Sequence, residues 1–434
     1  MNLHESDAFS MESHMPSLLF DSSVIAHGLA GPALGRTGVY RYANSLLRAI
    51  AMECSGSSRP SLITLLPQVD RSQLLAFKSE LESWPISIPQ ILSGIVFPFS
   101  VSRLLQGVLG GRVISGLERR IQMATLQFRL KELLRIKPDG LIYFTPYDLA
   151  SWLPSSPFFS RVICIHDLIP IHFPHYCQSS SIKLFSRLQL QLPDMDGIIC
   201  GSNTTRDDLL NWLPVLRSKP IAVIPYAVDD CFSYRYYSHD SELLQGYGII
   251  PKQYILSVGT LEPRKNLGTL LTAYSKLFLR LGEAVPKLVL CGPAGWGDLA
   301  LVEKIKNLQL EGKIIFTGFV SNQFLATLYR NATCFVFPSV CEGFGLPVLE
   351  AISSGTPVLS SNHPAMVEVL GDAALFFDPF NSDQLSVQLE RIISDQELQQ
   401  DLRLLGLSRA QQFSWQISAR RTINFARSLR KLAS

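Results

Sequence analysis

The chain has 434 residues, 47% of them hydrophobic and 17% charged, with a formal net charge of +3. That length exceeds one ordinary core, so two domains are expected, and the composition suits a soluble α/β protein with well-buried sheets. So small a net charge argues against nucleic acid as a partner. The eight cysteines hold no C-x-x-C pair or metal-ligand spacing and read as small hydrophobes in a reducing cytosol.

Residues 1–16 carry Glu5, Asp7 and Glu12 without an apolar core, so they read as a flexible segment and not a secretory signal. Strand-like runs then alternate with helical stretches. In the first half they are Ser17–Phe20, Leu62–Leu66, Leu141–Phe144, Val162–Ile165, Gly197–Cys200 and Ile221–Ile224. Ser83–Ser102 is uncharged, but Pro85, Pro89 and Pro98 interrupt it. It reads as loop and helix, since a membrane span needs about 20 apolar residues in a row. In the second half the runs are Tyr254–Val258, Lys287–Cys291, Lys313–Phe316, Thr333–Phe337, Pro357–Ser360 and Ala374–Phe377. Near-continuous hydrophobicity suits parallel strands buried on both faces. A stretch rich in Tyr, Asp, Ser and Gly, Tyr226–Pro251, separates the halves. The expected organisation is two Rossmann-like domains, 17–228 and 251–413, facing across a cleft and joined by 229–250. A C-terminal helix, 414–434, is expected to pack back toward the first domain. Ligands of such sheets bind at the carboxyl ends of the strands.

The chemistry-bearing motifs fall at those ends. Gly35-Arg36-Thr37-Gly38-Val39-Tyr40-Arg41-Tyr42 is a glycine loop leading into a helix. The run Val162–Ile165 delivers His166 and Asp167 to its carboxyl end. Ser202 reads as the N-cap of a helix that begins Asn203-Thr204-Thr205-Arg206. Asp194-Met195-Asp196 has the D-x-D form of a metal site, yet it precedes a buried strand at its amino end, away from the cleft. In the second half, Tyr254–Val258 runs into Gly259-Thr260-Leu261-Glu262-Pro263-Arg264-Lys265-Asn266, which sets two cations beside a helix N-terminus, where a diphosphate would be held. Thr333–Phe337 leads through Pro338-Ser339 to Glu342-Gly-Phe-Gly-Leu-Pro-Val-Leu-Glu350. Here two carboxylates flank a glycine turn, and Phe344, Gly345 and Leu346 present backbone N–H groups at a helix start.

As an ordered set from about Tyr254 to Pro379, these motifs resemble the nucleotide-binding domain of the retaining glycosyltransferases of family 4. Those enzymes have the two-Rossmann GT-B architecture. Further matching residues are Phe316-Thr317-Gly318-Phe319-Val320, Gly355-Thr356-Pro357-Val358 and Gly371-Asp372-Ala373-Ala374. The resemblance implies that Arg264 and Lys265 neutralise the leaving diphosphate. It implies that Glu342 and the backbone of Phe344 to Leu346 contact the transferred sugar and distal phosphate. Glu350 would accept from the ribose hydroxyls, and Gly318 to Val320 would cradle the base, with Gly259, Thr260 and Asn266 also on the donor side. Many relatives carry Arg where this chain has Thr260. The loop at Gly38 resembles that of bacterial mannosyltransferase-like members, in which Gly38 lets the backbone approach the phosphates; Tyr40 stands where they have a second glycine. His166-Asp167-Leu168-Ile169-Pro170 resembles a segment whose histidine contacts the donor sugar. Asp167 and Arg206 are expected on the acceptor side.

The implied activity is transfer of a hexose, first mannose from GDP-mannose, from a nucleotide diphosphate sugar to a hydroxyl of a glycan or lipid-linked acceptor. No metal cofactor is implied. A GT-B epimerase, a phosphorylase or a non-catalytic sugar-nucleotide-binding subunit is the alternative. Residues 103–137 hold eight cations (Arg103, Arg112, Arg119, Arg120, Arg129, Lys131, Arg135, Lys137) against Glu118 and Glu132, and Arg420, Arg421, Arg427, Arg430 and Lys431 add five near the C-terminus. Such stretches suit contact with anionic lipid. The expected location is cytoplasmic, peripheral at the inner face of the plasma membrane.

Overall fold

The computed structural model describes residues 17–30, 38–55, 62–66, 70–84, 90–93, 111–136, 141–147, 159–177, 179–295 and 298–429. The segment 1–16, Gly35 to Thr37, residues 94–102, Arg103, Lys137, Arg430 and Lys431 lie outside these.

In the first half the chain runs β1 (Ser17–Asp21), α1 (Ser23–Ala30), α2 (Gly38–Cys54), β2 (Leu62–Leu66), α3 (Arg71–Glu82), β3 (Gln90–Ser93), α4 (Gly111–Ile136) and β4 (Leu141–Thr145). It continues with β5 (Phe159–Ile165), α5 (Ile169–His172), α6 (Ser179–Gln191), β6 (Gly197–Cys200), α7 (Asn203–Trp212) and β7 (Ile221–Val223). These strands form one parallel sheet in the order β3-β2-β1-β4-β5-β6-β7. Strand β3 corrects the expectation of loop and helix over Ser83–Ser102. Gln90–Ser93 pairs with Ile63–Leu66 at the sheet edge, where a neighbouring proline such as Pro89 costs no ladder bond.

After α8 (Asp240–Gln245) the second half runs β8 (Tyr254–Val258), α9 (Leu267–Leu281), β9 (Lys287–Cys291), α10 (Asp298–Asn307), β10 (Ile314–Gly318), α11 (Asn322–Asn331) and β11 (Cys334–Phe337). Then come α12 (Leu346–Ser353), β12 (Val358–Ser361), α13 (Pro364–Leu370), β13 (Ala374–Phe377), α14 (Ser382–Ser394), α15 (Gln396–Ala410) and α16 (Trp415–Ser428). Its parallel sheet has the order β10-β9-β8-β11-β12-β13. Strand order reverses between β1 and β4 in one sheet and between β8 and β11 in the other. A crevice opens at the carboxyl ends of the strands on either side of such a reversal. Gly259 follows β8 and Pro338 follows β11, so the two motif loops of the second half meet at that crevice.

The halves are joined by more than a tether. In α8, Asp240 is fully buried and takes Arg330 Nε at 2.5 Å and Nη2 at 2.9 Å, with Thr327 and Asn331 beside it. Helix α16 returns to the first half and packs on α2. Trp415 lies 5.9 Å from the Tyr42 ring, Arg420 pairs with Glu53 at 3.0 Å, and Ser418 Oγ donates to the Pro225 carbonyl at 2.6 Å. Gly197 is needed under it, because a Cβ there would lie 2.3 Å from Leu429 Cδ1. One buried apolar cluster runs from the first sheet through Tyr42, Tyr226 and Phe344 into the second. Among the described residues no helix is long and apolar enough to cross a membrane.

Candidate active site

The loop after β8 is shaped around a lysine. Gly259 has φ 152°, and a Cβ there would sit 3.1 Å from Lys265 Cε. Glycine therefore leaves room for the lysine stem, which lies buried with its ammonium 4.8 Å from the Phe337 ring centre. Asn266 follows in the left-handed region, φ 53°. Its amide donates to the carbonyls of Pro338 (3.2 Å) and Pro379 (2.6 Å), and its oxygen accepts from Thr269. Its side chain ties three strand-end loops together.

Three donors converge on one oxygen of Glu342. Its Oε1 takes Lys265 Nζ at 2.6 Å, Arg264 Nη1 at 2.8 Å and Ser339 Oγ at 2.6 Å. Arg264 also gives Nη2 to Glu262 at 2.5 Å and Nη1 to the Cys341 carbonyl at 3.1 Å. Burial alone would push the Glu342 carboxyl up. Arg264 and Lys265 overcome it and hold that carboxyl down at about 2. Burial and the neighbouring Arg264 lower the Lys265 ammonium, against the pull of Glu342.

The facing wall comes from β5 and β4. His166 Nε2 lies 2.6 Å from the Pro146 carbonyl and Nδ1 lies 2.7 Å from Tyr226 Oη. A carbonyl only accepts, so Nε2 carries the hydrogen and Nδ1 accepts from the tyrosine. Burial drops this imidazole to about 4, so it is neutral. Both ring nitrogens are thus taken by protein groups. Asp167 Oδ1 accepts from Ile169 N at 3.0 Å, and burial raises its carboxyl against the influence of Arg264. A cavity of ≈ 260 Å³ opens beside it. His166, Asp167, Glu262 and Arg264 form its polar side, and Ile169, Leu184, Phe185 and Leu188 form an apolar side.

The two walls touch. A Cβ on Gly343 would fall 1.9 Å from the His166 carbonyl oxygen. Gly343 O accepts Ser202 Oγ at 2.6 Å and Thr205 Oγ1 at 3.0 Å. Ser202 also caps α7, its Oγ accepting from Thr205 N. From α13, the Glu368 carboxylate takes the backbone N–H of Asn203 and Thr204 at 2.7 and 3.0 Å. It also takes their side chains at 2.8 and 3.1 Å. Arg206 is not among the residues lining the cavity; it pairs with Asp207 at 2.8 Å and is a third exposed.

Glu350 sits one turn into α12 and is fully buried. Tyr329 Oη donates to its Oε2 at 3.1 Å, and Arg41 of α2 pairs with Oε1 from the opposite half. Phe344 is packed between the rings of Tyr226 (4.7 Å) and Phe413 (6.0 Å). Gly345 caps α12 with φ 89°, and a Cβ there would meet Met366 at 2.4 Å.

Residues 246–404 match the family described as Glycosyl transferases group 1. O-antigen chain mannosyltransferase B of Escherichia coli is 33% identical over 264 residues, covering 61% of this chain and 69% of that relative. This chain belongs to the group 1 glycosyltransferases. Serotype-specific mannosyltransferase WbdA of Escherichia coli is 29% identical over 294 residues, 64% of this chain and 34% of that protein; the chain spans about a third of its length. Among solved structures, sucrose-phosphate synthase from Thermosynechococcus elongatus superposes with a TM-score of 0.66 at 18% identity, over 95% of this chain and 99% of that one. The fold is thereby the GT-B architecture, α/β with two Rossmann-like halves.

Of the residues expected in the site of this glycosyltransferase, Glu342, Arg264, Lys265 and Asp167 come together around one carboxylate and one cavity. Gly38 opens α2, Leu346 opens α12, and Gly318 ends β10 with φ 67°. Thr260 follows Gly259 and stays half-buried, as does Val320. No motif marked Arg41, Tyr226, Ser339 or Glu368 in advance. Arg41 sits inside the quoted glycine-loop run, and only its place on the helix face it shares with Ser45 hinted that it looks across the cleft.

Proposed function

We propose that this glycosyltransferase moves mannose from GDP-mannose, with retained configuration, to a hydroxyl of a glycan or lipid-linked acceptor. The observation that carries the reading is the convergence of Lys265, Arg264 and Ser339 on Glu342, opposite His166 and Asp167. A donor diphosphate brings the negative charge those two cations now share with Glu342. Displaced from them, Glu342 turns to the sugar hydroxyls while the cations hold the phosphates. The C1–O bond to the diphosphate breaks and a C1–O bond to the acceptor forms on the same face. The acceptor proton passes to a leaving phosphate oxygen. Catalysis then rests on positioning and charge stabilisation, with no metal required. The similarity to enzymes named mannosyltransferases supports mannose. The cavity beside Asp167 supports an acceptor with an apolar portion. Exposed Arg120, Phe128, Arg129 and Lys131 on α4 support contact with an anionic bilayer, which sedimentation with acidic vesicles at low salt checks.

The test is turnover with GDP-mannose against UDP-, dTDP- and ADP-sugars in the presence of chelator, with the product anomer read by NMR. Retained mannose transfer supports the reading. Inversion, loss of activity on chelation, or preference for another donor overturns that part of it. Lys265→Ala and Glu342→Ala should each lower kcat by orders of magnitude with an unchanged fold by circular dichroism.

A further inference from the structure

The carboxylate of Glu350 already has a protein partner at each oxygen, one by hydrogen bond and one by ion pair. Its Oε2 holds the Tyr329 hydroxyl, its Oε1 holds the Arg41 guanidinium, and it has no exposed surface. Tyr329 belongs to the same half, on α11, and is itself fully buried. Arg41 belongs to the other half and is 21% exposed along its side chain. Its guanidinium lies 5.4 Å from the Phe232 ring centre, and among the described residues neither its buried Nε nor Glu350 Oε1 has a hydrogen-bond partner by geometry, although the two groups are ion-paired. Arg41 offers Glu350 Oε1 an N–H donor where a ribose hydroxyl would offer an O–H donor.

We propose that Arg41 is a self-ligand of the donor site: it occupies the position of the ribose diol on Glu350 and must leave before a diol can bind that carboxylate. This rests on the proposed reading, in which Glu350 receives the ribose. Of the two groups on Glu350, Arg41 is the one that leaves. Parting the halves carries it away, whereas Tyr329 moves with Glu350. Apparent donor affinity is then reduced by the fraction of molecules in which Arg41 holds the carboxylate. Arg41 is accordingly a positioning residue, and its removal has the unusual sign of tightening binding.

The experiment titrates GDP, UDP and their 2′,3′-dideoxy forms into the full chain and into Arg41→Gln by calorimetry, with Glu350→Gln as reference. Wild type should prefer the ribose form. Arg41→Gln should raise that preference about tenfold, while affinity for the dideoxy forms stays put and Glu350→Gln abolishes the preference in both backgrounds. Weaker ribose binding in Arg41→Gln, or an unchanged ratio, overturns the self-ligand role and leaves the ribose assignment standing. Absence of any ribose preference in wild type and in Arg41→Gln overturns both. Small-angle scattering gives a readout independent of nucleotide: Arg41→Gln should widen the unliganded molecule, and an unchanged profile counts against the proposal.

Discussion

At the scale of single residues, the site is set by which groups share which proton or charge. Glu342 titrates ordinarily at 4.5 and is held at about 2 in the fold. A carboxyl with a depressed value contributes stability above its unfolded value, and that contribution fades as pH falls toward the folded one. Wild type should therefore lose melting temperature between about pH 4.5 and 2 relative to Glu342→Gln, the difference being read by thermal unfolding across that range. His166 runs the same way: lowered from 6.5 to about 4, it stays neutral near pH 7. The Pro146 carbonyl fixes its tautomer, and Tyr226→Phe frees Nδ1 while keeping the ring against Phe344. That removes a hydrogen bond worth about 1 kcal/mol. Turnover should fall about fivefold with an unchanged fold, and nitrogen NMR of the imidazole should still show the Nε2–H tautomer, now with Nδ1 unbonded. The sequence displayed His166, Lys265 and Glu342 at strand ends, because hydrophobic runs announce where buried strands stop. It could not display their partners. Lys265 meets a carboxylate 77 positions away and Asn266 meets a carbonyl 113 positions away, and spacing carries no trace of either.

At the scale of elements, buried strands were the most legible feature. Tyr254–Val258, Lys287–Cys291, Leu62–Leu66, Gly197–Cys200 and Ala374–Phe377 stand where their hydrophobic runs put them. Strand β3 did not, since an edge strand of four residues has one neighbour and is too short for its hydrophobic pattern to mark it. Contacts between elements of different halves were invisible, and they are what shape the cleft. The loop after β11 lies against the end of β5 with no room for a side chain at Gly343. Gly343→Ala must push backbone from backbone, at a cost of about 1–3 kcal/mol. Turnover should drop far more than stability does. Comparing kcat with the melting temperature checks this, and near-normal kcat would show that the contact is not needed. The Glu368 carboxylate, four hydrogen bonds deep in the start of α7, adds a second tie that favours the same closed arrangement.

At the scale of the molecule, the family explains the two sheets, and the last helix explains how they stay together. Helix α16 covers Tyr42 and Gly197 of the first half although it follows the second in sequence. A chain ending at Phe413 should expose that surface. Its first half should be cut by protease at least as fast as a destabilised domain, while the second half, with its own core around Tyr274 and Leu359, resists; equal resistance of both halves would show that α16 is dispensable. The return of the chain has a mechanical corollary. The polypeptide crosses between halves twice, after β7 and before α16, and the hydrogen bond from Ser418 to Pro225 pins the two crossings side by side. Two adjacent pivots permit swinging about one line and resist twist and slide. Side chains near that line, Tyr226 and Phe413, travel least, so the aromatic stack on Phe344 acts as the axle. On the proposed self-ligand role, Arg41, anchored on the far arm, would come off Glu350 by rotation about that line, once the ties at Gly343 and Glu368 are released.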